Sequence, residues 1–233
     1  AINSALPAGT PRLSALHDIF DGARCFFNGV PELDPYGPRD PGGFLGLYSG
    51  GVGSAVPQWP AGEAPRVFAY LHSEYRHLDT ALAALAASGA RCVVYLFGST
   101  PEIRQKYAGP SVVFSTELLD IDQAVQAADL CVCHANFGTV MAVLRGGKPL
   151  LLLPYDLEKF LSSASLEKLG VGRMVRPEGE LVDIGGTLAQ MLGSPAFTEA
   201  AKAFALGHRE PSVDTIIAGA ARRIEALAQG QPG

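Results

Sequence analysis

From Arg66 onward the sequence alternates short runs that are apolar at every position with longer stretches in which apolar residues recur every three or four positions. The runs are Val67-Phe68-Ala69-Tyr70-Leu71, Cys92-Val93-Val94-Tyr95-Leu96-Phe97, Val112-Val113-Phe114, Leu130-Cys131-Val132-Cys133 and Leu150-Leu151-Leu152-Leu153. A strand with no polar face must be covered on both faces, which is the condition of a parallel sheet sandwiched by helices. The intervening stretches have helical spacing: Leu78, Ala81, Leu82 and Leu85 up to Gly89, then Glu102 to Tyr107, then a helix through Ala124, Val125 and Ala128. Leu157 to Leu169 forms a further helix ended by Gly170, and Arg173-Met174-Val175-Arg176 a short sixth strand. The pattern predicts an α/β fold, a Rossmann-like open parallel sheet with helices on both faces. From Glu180 the chain reads as helices. The last, Ile216 to Ala228, carries an apolar stripe of Ile217, Ala220, Ala221, Ile224 and Leu227 that should dock on something.

Residues 1–65 read differently. One helix is predicted over Leu13 to Gly22, followed by Phe26-Phe27 and a succession of Gly and Pro through Trp59-Pro60 that breaks regular structure. So long an irregular run is unusual inside one compact domain. It is expected to be the tail of a preceding domain plus an interdomain connection anchored by Trp59, with residues 66–233 forming the ligand-binding domain. The chain opens without a methionine, which points to a start inside a longer polypeptide or after processing. Its net charge of −5 offers nothing to nucleic acid or an anionic membrane, and no apolar run is long enough to span a bilayer. The N-terminus has neither the basic nor the apolar region of a signal peptide. Cys131 and Cys133 alternate along one strand without a second ligand pair at zinc spacing, so they are expected to pack rather than hold a metal. A reducing cytoplasm suits these thiols.

The chemistry is concentrated in Asp129-Leu130-Cys131-Val132-Cys133-His134-Ala135-Asn136-Phe137-Gly138-Thr139. This reads as a buried strand, a polar turn, and a helix carrying Val140 to Leu144 that stops at Gly146-Gly147. The first turn of a helix has unpaired N–H groups and partial positive charge, and so suits a phosphate. Gly138 lets a ligand approach the backbone, Thr139 adds a hydroxyl, and His134 can donate from its imidazole. The turn is therefore expected to seat a diphosphate. Other motifs fail. Gly146-Gly147-Lys148-Pro149 has Ala142 where a P-loop needs glycine and Pro149 where it needs Ser or Thr. There is no Gly-x-Gly-x-x-Gly turn, His-Glu-x-x-His helix or Gly-x-Ser-x-Gly elbow.

His134-Ala135-Asn136-Phe137-Gly138-Thr139 resembles the His-x-Gly-x-Gly-Thr donor motif of GT-B glycosyltransferases, nearest the bacterial UDP-glycosyltransferase-like enzymes that use nucleotide sugars. Gly147-Lys148-Pro149, the strand to Pro154 and the helix ending Leu166-Glu167-Lys168-Leu169-Gly170 continue the likeness. Pro31-Glu32-Leu33-Asp34-Pro35-Tyr36-Gly37 and Trp59-Pro60-Ala61-Gly62 resemble the segment joining the two domains of such proteins. The resemblance implies the C-terminal, donor-binding half of a GT-B fold. It places the diphosphate against His134, Asn136, Phe137, Gly138 and Thr139, bordered by His72 and Ser73. The base falls at Thr116, Glu117 and Leu118, and sugar hydroxyls at Glu158 and Lys159, or at Asp156. Three positions depart from the family pattern: Asn136 replaces glycine, Ala142 a ribose-binding Glu, and Lys159 a Gln.

The activity so implied is hexosyl transfer from a nucleotide-diphosphate sugar to a hydroxyl acceptor, inverting, without metal or cofactor. The acceptor pocket and the base that deprotonates the acceptor belong to an N-terminal GT-B domain, so no catalytic residue is expected in this chain and it should bind donor without turnover. Two other readings of the same residues are a sugar-nucleotide epimerase of this architecture and a non-catalytic partner domain.

Overall fold

The computed structural model describes residues 4, 8–9, 12–15, 26–37, 41–48, 53–176, 182–208 and 212–229. The helix expected over Leu13 to Gly22 lies largely outside them. Six strands, β1 (Arg66–His72), β2 (Arg91–Phe97), β3 (Val112–Ser115), β4 (Leu130–Cys133), β5 (Leu150–Leu152) and β6 (Gly172–Met174), form one sheet in the order β3-β2-β1-β4-β5-β6. Every pairing is parallel. Between them run α1 (Leu78–Ala87), α2 (Pro101–Tyr107), α3 (Ile121–Ala127), α4 (Phe137–Arg145) and α5 (Leu157–Lys168). After β6 come α6 (Ile184–Gly193), α7 (Pro195–Gly207) and α8 (Val213–Ala228).

The uniformly apolar strands are covered on both faces. On one, Phe68, Val93, Cys131, Cys133, Leu150 and Leu152 meet α3, α4, α5 and α7. On the other, Val67, Ala69, Leu71, Val94, Val132 and Leu151 meet α1 and α6. Leu150 to Leu153 are fully buried, so truncating any one to alanine would cost roughly 2–5 kcal/mol. Cys131 and Cys133 share a face and are sealed in the core, where burial pushes the Cys133 thiol up to about 12 and Cys131 higher still. Gly146 and Gly147 end α4, the latter at φ +64°. Lys148 turns its ammonium onto the carbonyls of Gln126 (3.1 Å) and Ala128 (2.6 Å) at the end of α3, a structural use for the lysine of the rejected P-loop.

Two details differ from expectation. The sixth strand is Gly172–Met174, not Arg173 to Arg176, because Leu150 to Leu152 pair with those earlier residues. On α8 the buried position is Ile216, while Ile217 and Ile224 are exposed. The covered face is thus turned from the stripe read in the sequence, and Arg223 lies on it, over the Phe26 ring and bonded to the Gly42 carbonyl.

The described part of the N-terminal segment lies on the sheet domain. Val30 and Leu47 are buried in the same core as α4, and Trp59 packs against it. Residues 53–60 run beside the loop after β3, where the Ala55 N–H donates to the Leu118 carbonyl (3.2 Å) and the Asp120 N–H to the Ala55 carbonyl (2.9 Å).

Candidate functional site

The chain's two directions of winding part between β1 and β4, neighbours in the sheet but separated in sequence by β2 and β3. A crevice opens at the carboxyl ends of strands at such a point. His72 ends β1 there, and His134 follows β4.

α4 rises from this crevice with its first turn open. Side chains cap α2, α3, α5, α6 and α8 (Thr100, Asp120, Asp156, Asp183 and Ser212). Asn136, the residue before α4, makes no such bond. The N–H groups of Phe137, Gly138 and Thr139 have no acceptor among the described residues; the ladder starts with Val140 N–H on the Asn136 carbonyl at 3.0 Å. A β-carbon on Gly138 would meet nothing within 4 Å, so the helix start is open on that side. Asn136 sits at φ −60°, ψ 130°, a conformation any residue adopts, so the family's glycine is not needed there for backbone reasons. The strained position is Ala135, at φ +64°. Left-handed backbone costs a residue with a β-carbon roughly 1–2 kcal/mol. Phe137 leans on Gly29 of the N-terminal segment, where an added β-carbon would come within 3.2 Å of its ring.

His134 holds a different position from the one expected. Its ring is 1% exposed. Nδ1 lies 2.7 Å from the Leu153 carbonyl, which can only accept, so Nδ1 carries the proton. Nε2 accepts from the His72 backbone N–H at 3.0 Å. The neutral imidazole therefore ties together the ends of β1, β4 and β5, with neither nitrogen left for a diphosphate in this arrangement. Burial lowers its basicity; the Leu153 bond opposes that, the neighbouring His72 and then Lys159 reinforce it, and Asp156 weakly opposes it. Tyr75 and Tyr155 flank the ring at 4.8 and 5.0 Å. Sequence reasoning missed both, since neither stands in a recognisable motif. Tyr75 is buried and its hydroxyl has no partner among the described residues.

The other expected residues gather around this corner in part. His72 is half-buried beside Phe97, and its Nδ1 accepts from the Glu74 N–H. The Ser73 N–H is taken by the Phe97 carbonyl at 2.9 Å. Thr116 and Glu117 line a cleft of about 350 Å³ with Phe114, Ser115, Val56 and Gln58. Leu118 gives its carbonyl to the N-terminal segment and does not line that cleft. Asp156 caps α5 through the Lys159 N–H (2.9 Å) and binds the Lys159 ammonium (2.6 Å). Partial burial opposes its ionisation, but those bonds outweigh the penalty and hold the carboxyl below the usual range. Glu158 is exposed on the first turn of α5. Ala142 is buried in the core and has no polar group to offer a ribose. A larger hollow of about 420 Å³ lies at the opposite end of the sheet, lined by Glu63, Pro65, Asp129, Pro149, Met191 and Pro195. Ligands of open α/β sheets bind at the carboxyl ends of strands, which favours the crevice at α4. Among the described residues no cluster of His, Cys, Asp and Glu is placed to hold a metal ion.

Comparison with known proteins gives three kinds of match. Residues 78–203, more than half of the chain, match the family model described as glycosyltransferase family 28 C-terminal domain. A UDP-N-acetylglucosamine–N-acetylmuramyl-(pentapeptide) pyrophosphoryl-undecaprenol N-acetylglucosamine transferase of Solibacter usitatus is 38% identical over 88 residues, 34% of this chain and 24% of that protein. The Solidesulfovibrio magneticus protein of the same name is 32% identical over 108 residues, covering 44% of this chain and 29% of its own length. Among solved structures, the calicheamicin glycosyltransferase CalG4 superimposes with a TM-score of 0.67 at 20% identity, over 91% of this chain and 54% of that one. Glycosyltransferase VinC, solved in complex with dTDP, gives 0.62 at 20% identity, over 74% and 45%. At these identities the likeness is one of fold. The chain spans less than a third of each curated relative and about half of each solved structure.

Proposed function

Because the chain belongs to the glycosyltransferase family 28 C-terminal domain family and has the fold of a GT-B donor-binding half, we propose that the open turn between β4 and α4 seats the diphosphate of a nucleotide sugar. One observation carries the reading: among the described residues the N–H groups of Phe137, Gly138 and Thr139 stand unpartnered at a helix start, with open space where a β-carbon of Gly138 would sit. Three aligned donors and the positive end of a helix are a ready seat for phosphate oxygens.

The nucleobase lies toward Thr116 and Glu117, in the cleft that Gln58 and Val56 border. The sugar lies toward Asp156 and Glu158 at the start of α5. His72 and Ser73 border the phosphates. UDP is the nucleotide supported by the names of the curated relatives. In the complete protein a preceding N-terminal domain, to which residues 1–65 form the tail and connection, supplies the acceptor pocket and a base. That base removes the acceptor hydroxyl's proton, and the oxygen attacks the anomeric carbon from the face opposite the diphosphate. The bond from sugar to diphosphate breaks with inversion, its electrons staying on the departing oxygen. The α4 amides meet the charge gathering there, in the role of an oxyanion hole, and the reading calls for no metal or cofactor. The buried thiols Cys92, Cys131 and Cys133 suit a cytoplasmic site of action.

Isothermal calorimetry of the chain with UDP, dTDP and their sugars tests this. Saturable binding of at least one nucleoside diphosphate is expected, with no release of free sugar when a donor is left with the chain alone. A folded chain that binds none of them contradicts the proposal.

A further inference from the structure

A diphosphate brings more negative charge than one helix start neutralises, since the macrodipole amounts to roughly half an elementary charge. The imidazole beside the turn is neutral and spent on the scaffold, both nitrogens being held by Leu153 and His72. A cation nearby would add to what the helix start supplies. Around His134 stand His72, Tyr75 and Tyr155, with the Asp156–Lys159 pair beyond Tyr155. Lys159 is the cation of that group. Its ammonium lies 4.6 Å from the centre of the Tyr155 ring, which itself contacts His134, and 2.6 Å from Asp156 Oδ2.

The side chain is aimed rather than loose. It is 14% exposed, unusually little for a lysine outside a core. Asp156 is itself fixed, because its other oxygen caps α5 at the Lys159 N–H. An ammonium has three donors. The carboxylate takes one and the Tyr155 ring face lies against the charge, leaving the ammonium with donor capacity for a ligand. We propose, building on the donor-site reading above, that Lys159 engages the sugar-proximal phosphate of the donor and supplies the positive charge His134 does not. Asp156 and Tyr155 position the ammonium. The position expected from sequence to touch a sugar hydroxyl thus serves the diphosphate.

The test compares UDP with UMP, which lacks that phosphate, on the unsubstituted chain and on Lys159→Met and Lys159→Arg. UDP affinity should drop about tenfold or more in Lys159→Met, as befits loss of a charge-assisted contact, while UMP affinity changes less than about threefold. Lys159→Arg should recover much of the loss. UDP binding by the unsubstituted chain should also weaken more steeply with salt than binding by Lys159→Met. Arg76, an exposed cation on the loop after β1, is the comparison, and Arg76→Met should leave the ratio of UDP to UMP affinity unchanged. Equal loss of UDP and UMP in Lys159→Met, no loss of either, or a loss that follows Arg76 instead overturns the assignment. Failure of the unsubstituted chain to bind any nucleoside diphosphate overturns the donor site itself and this assignment with it.

Discussion

A histidine after a buried strand can face a ligand or brace the fold, and His134 braces it. Removing its ring would leave the Leu153 carbonyl and the His72 N–H without their partner in a sealed corner. His134→Ala should therefore lower stability by roughly 2–5 kcal/mol, from the cavity and the stranded polar groups together. Denaturant melts check it, and an unchanged midpoint with weaker UDP binding would put the imidazole back among the ligand contacts. The pH dependence has a definite sign. Burial holds the folded imidazole's pKa below its ordinary value, so the unfolded chain takes up the proton first. Its contribution is whole above about pH 6.5 and is lost as pH falls toward the folded pKa. His77, also lowered by burial, acts in the same sense. Melting temperature should fall between about pH 7 and pH 5, and a rise on acidification would contradict this. None of it was legible in the sequence. The bonds join residues 62 and 19 positions apart, and only the order of strands in the sheet brings them together.

At the level of the elements more could be read ahead. Strands apolar at every position and helices ended by Gly89, Gly146-Gly147 and Gly170 were legible because burial on both faces and left-handed helix ends are local demands. What escaped was set by tertiary pairing: the register of β6, and the face of α8 that Ile216 and Arg223 occupy. The open start of α4 was foreseen from its sequence; that Asp156 would be spent as the cap of α5 was not. α4 also offers a clean experiment. Gly138 lies in its first turn with nothing within 4 Å of where a β-carbon would sit. Gly138→Val should fold as well as the parent, yet put methyl groups where a phosphate would lie, lowering UDP affinity by about tenfold or more. Binding unaltered by that change, in a variant of unaltered stability, would move the ligand away from α4.

For the molecule as a whole, the chain spans about half of each of the solved structures whose fold it shares. An open α/β sheet can hold a ligand at its switch point without any second domain. The described part of the N-terminal segment packs on the sheet. It touches the donor corner through Gly29 on Phe137 and borders the β3 cleft through Val56 and Gln58. The proposed binding of a nucleoside diphosphate can be tested on this chain alone. The decisive measurement is a nuclear magnetic resonance titration of the isotope-labelled chain with UDP, following the backbone amides one by one. The amides of Phe137, Gly138 and Thr139 should move most, with Thr116 and Glu117 shifting beside them and residues lining the far hollow, such as Asp129 and Met191, unmoved. Shifts confined to that hollow, or a spectrum indifferent to UDP and dTDP alike, would contradict the placement of a donor diphosphate at the start of α4.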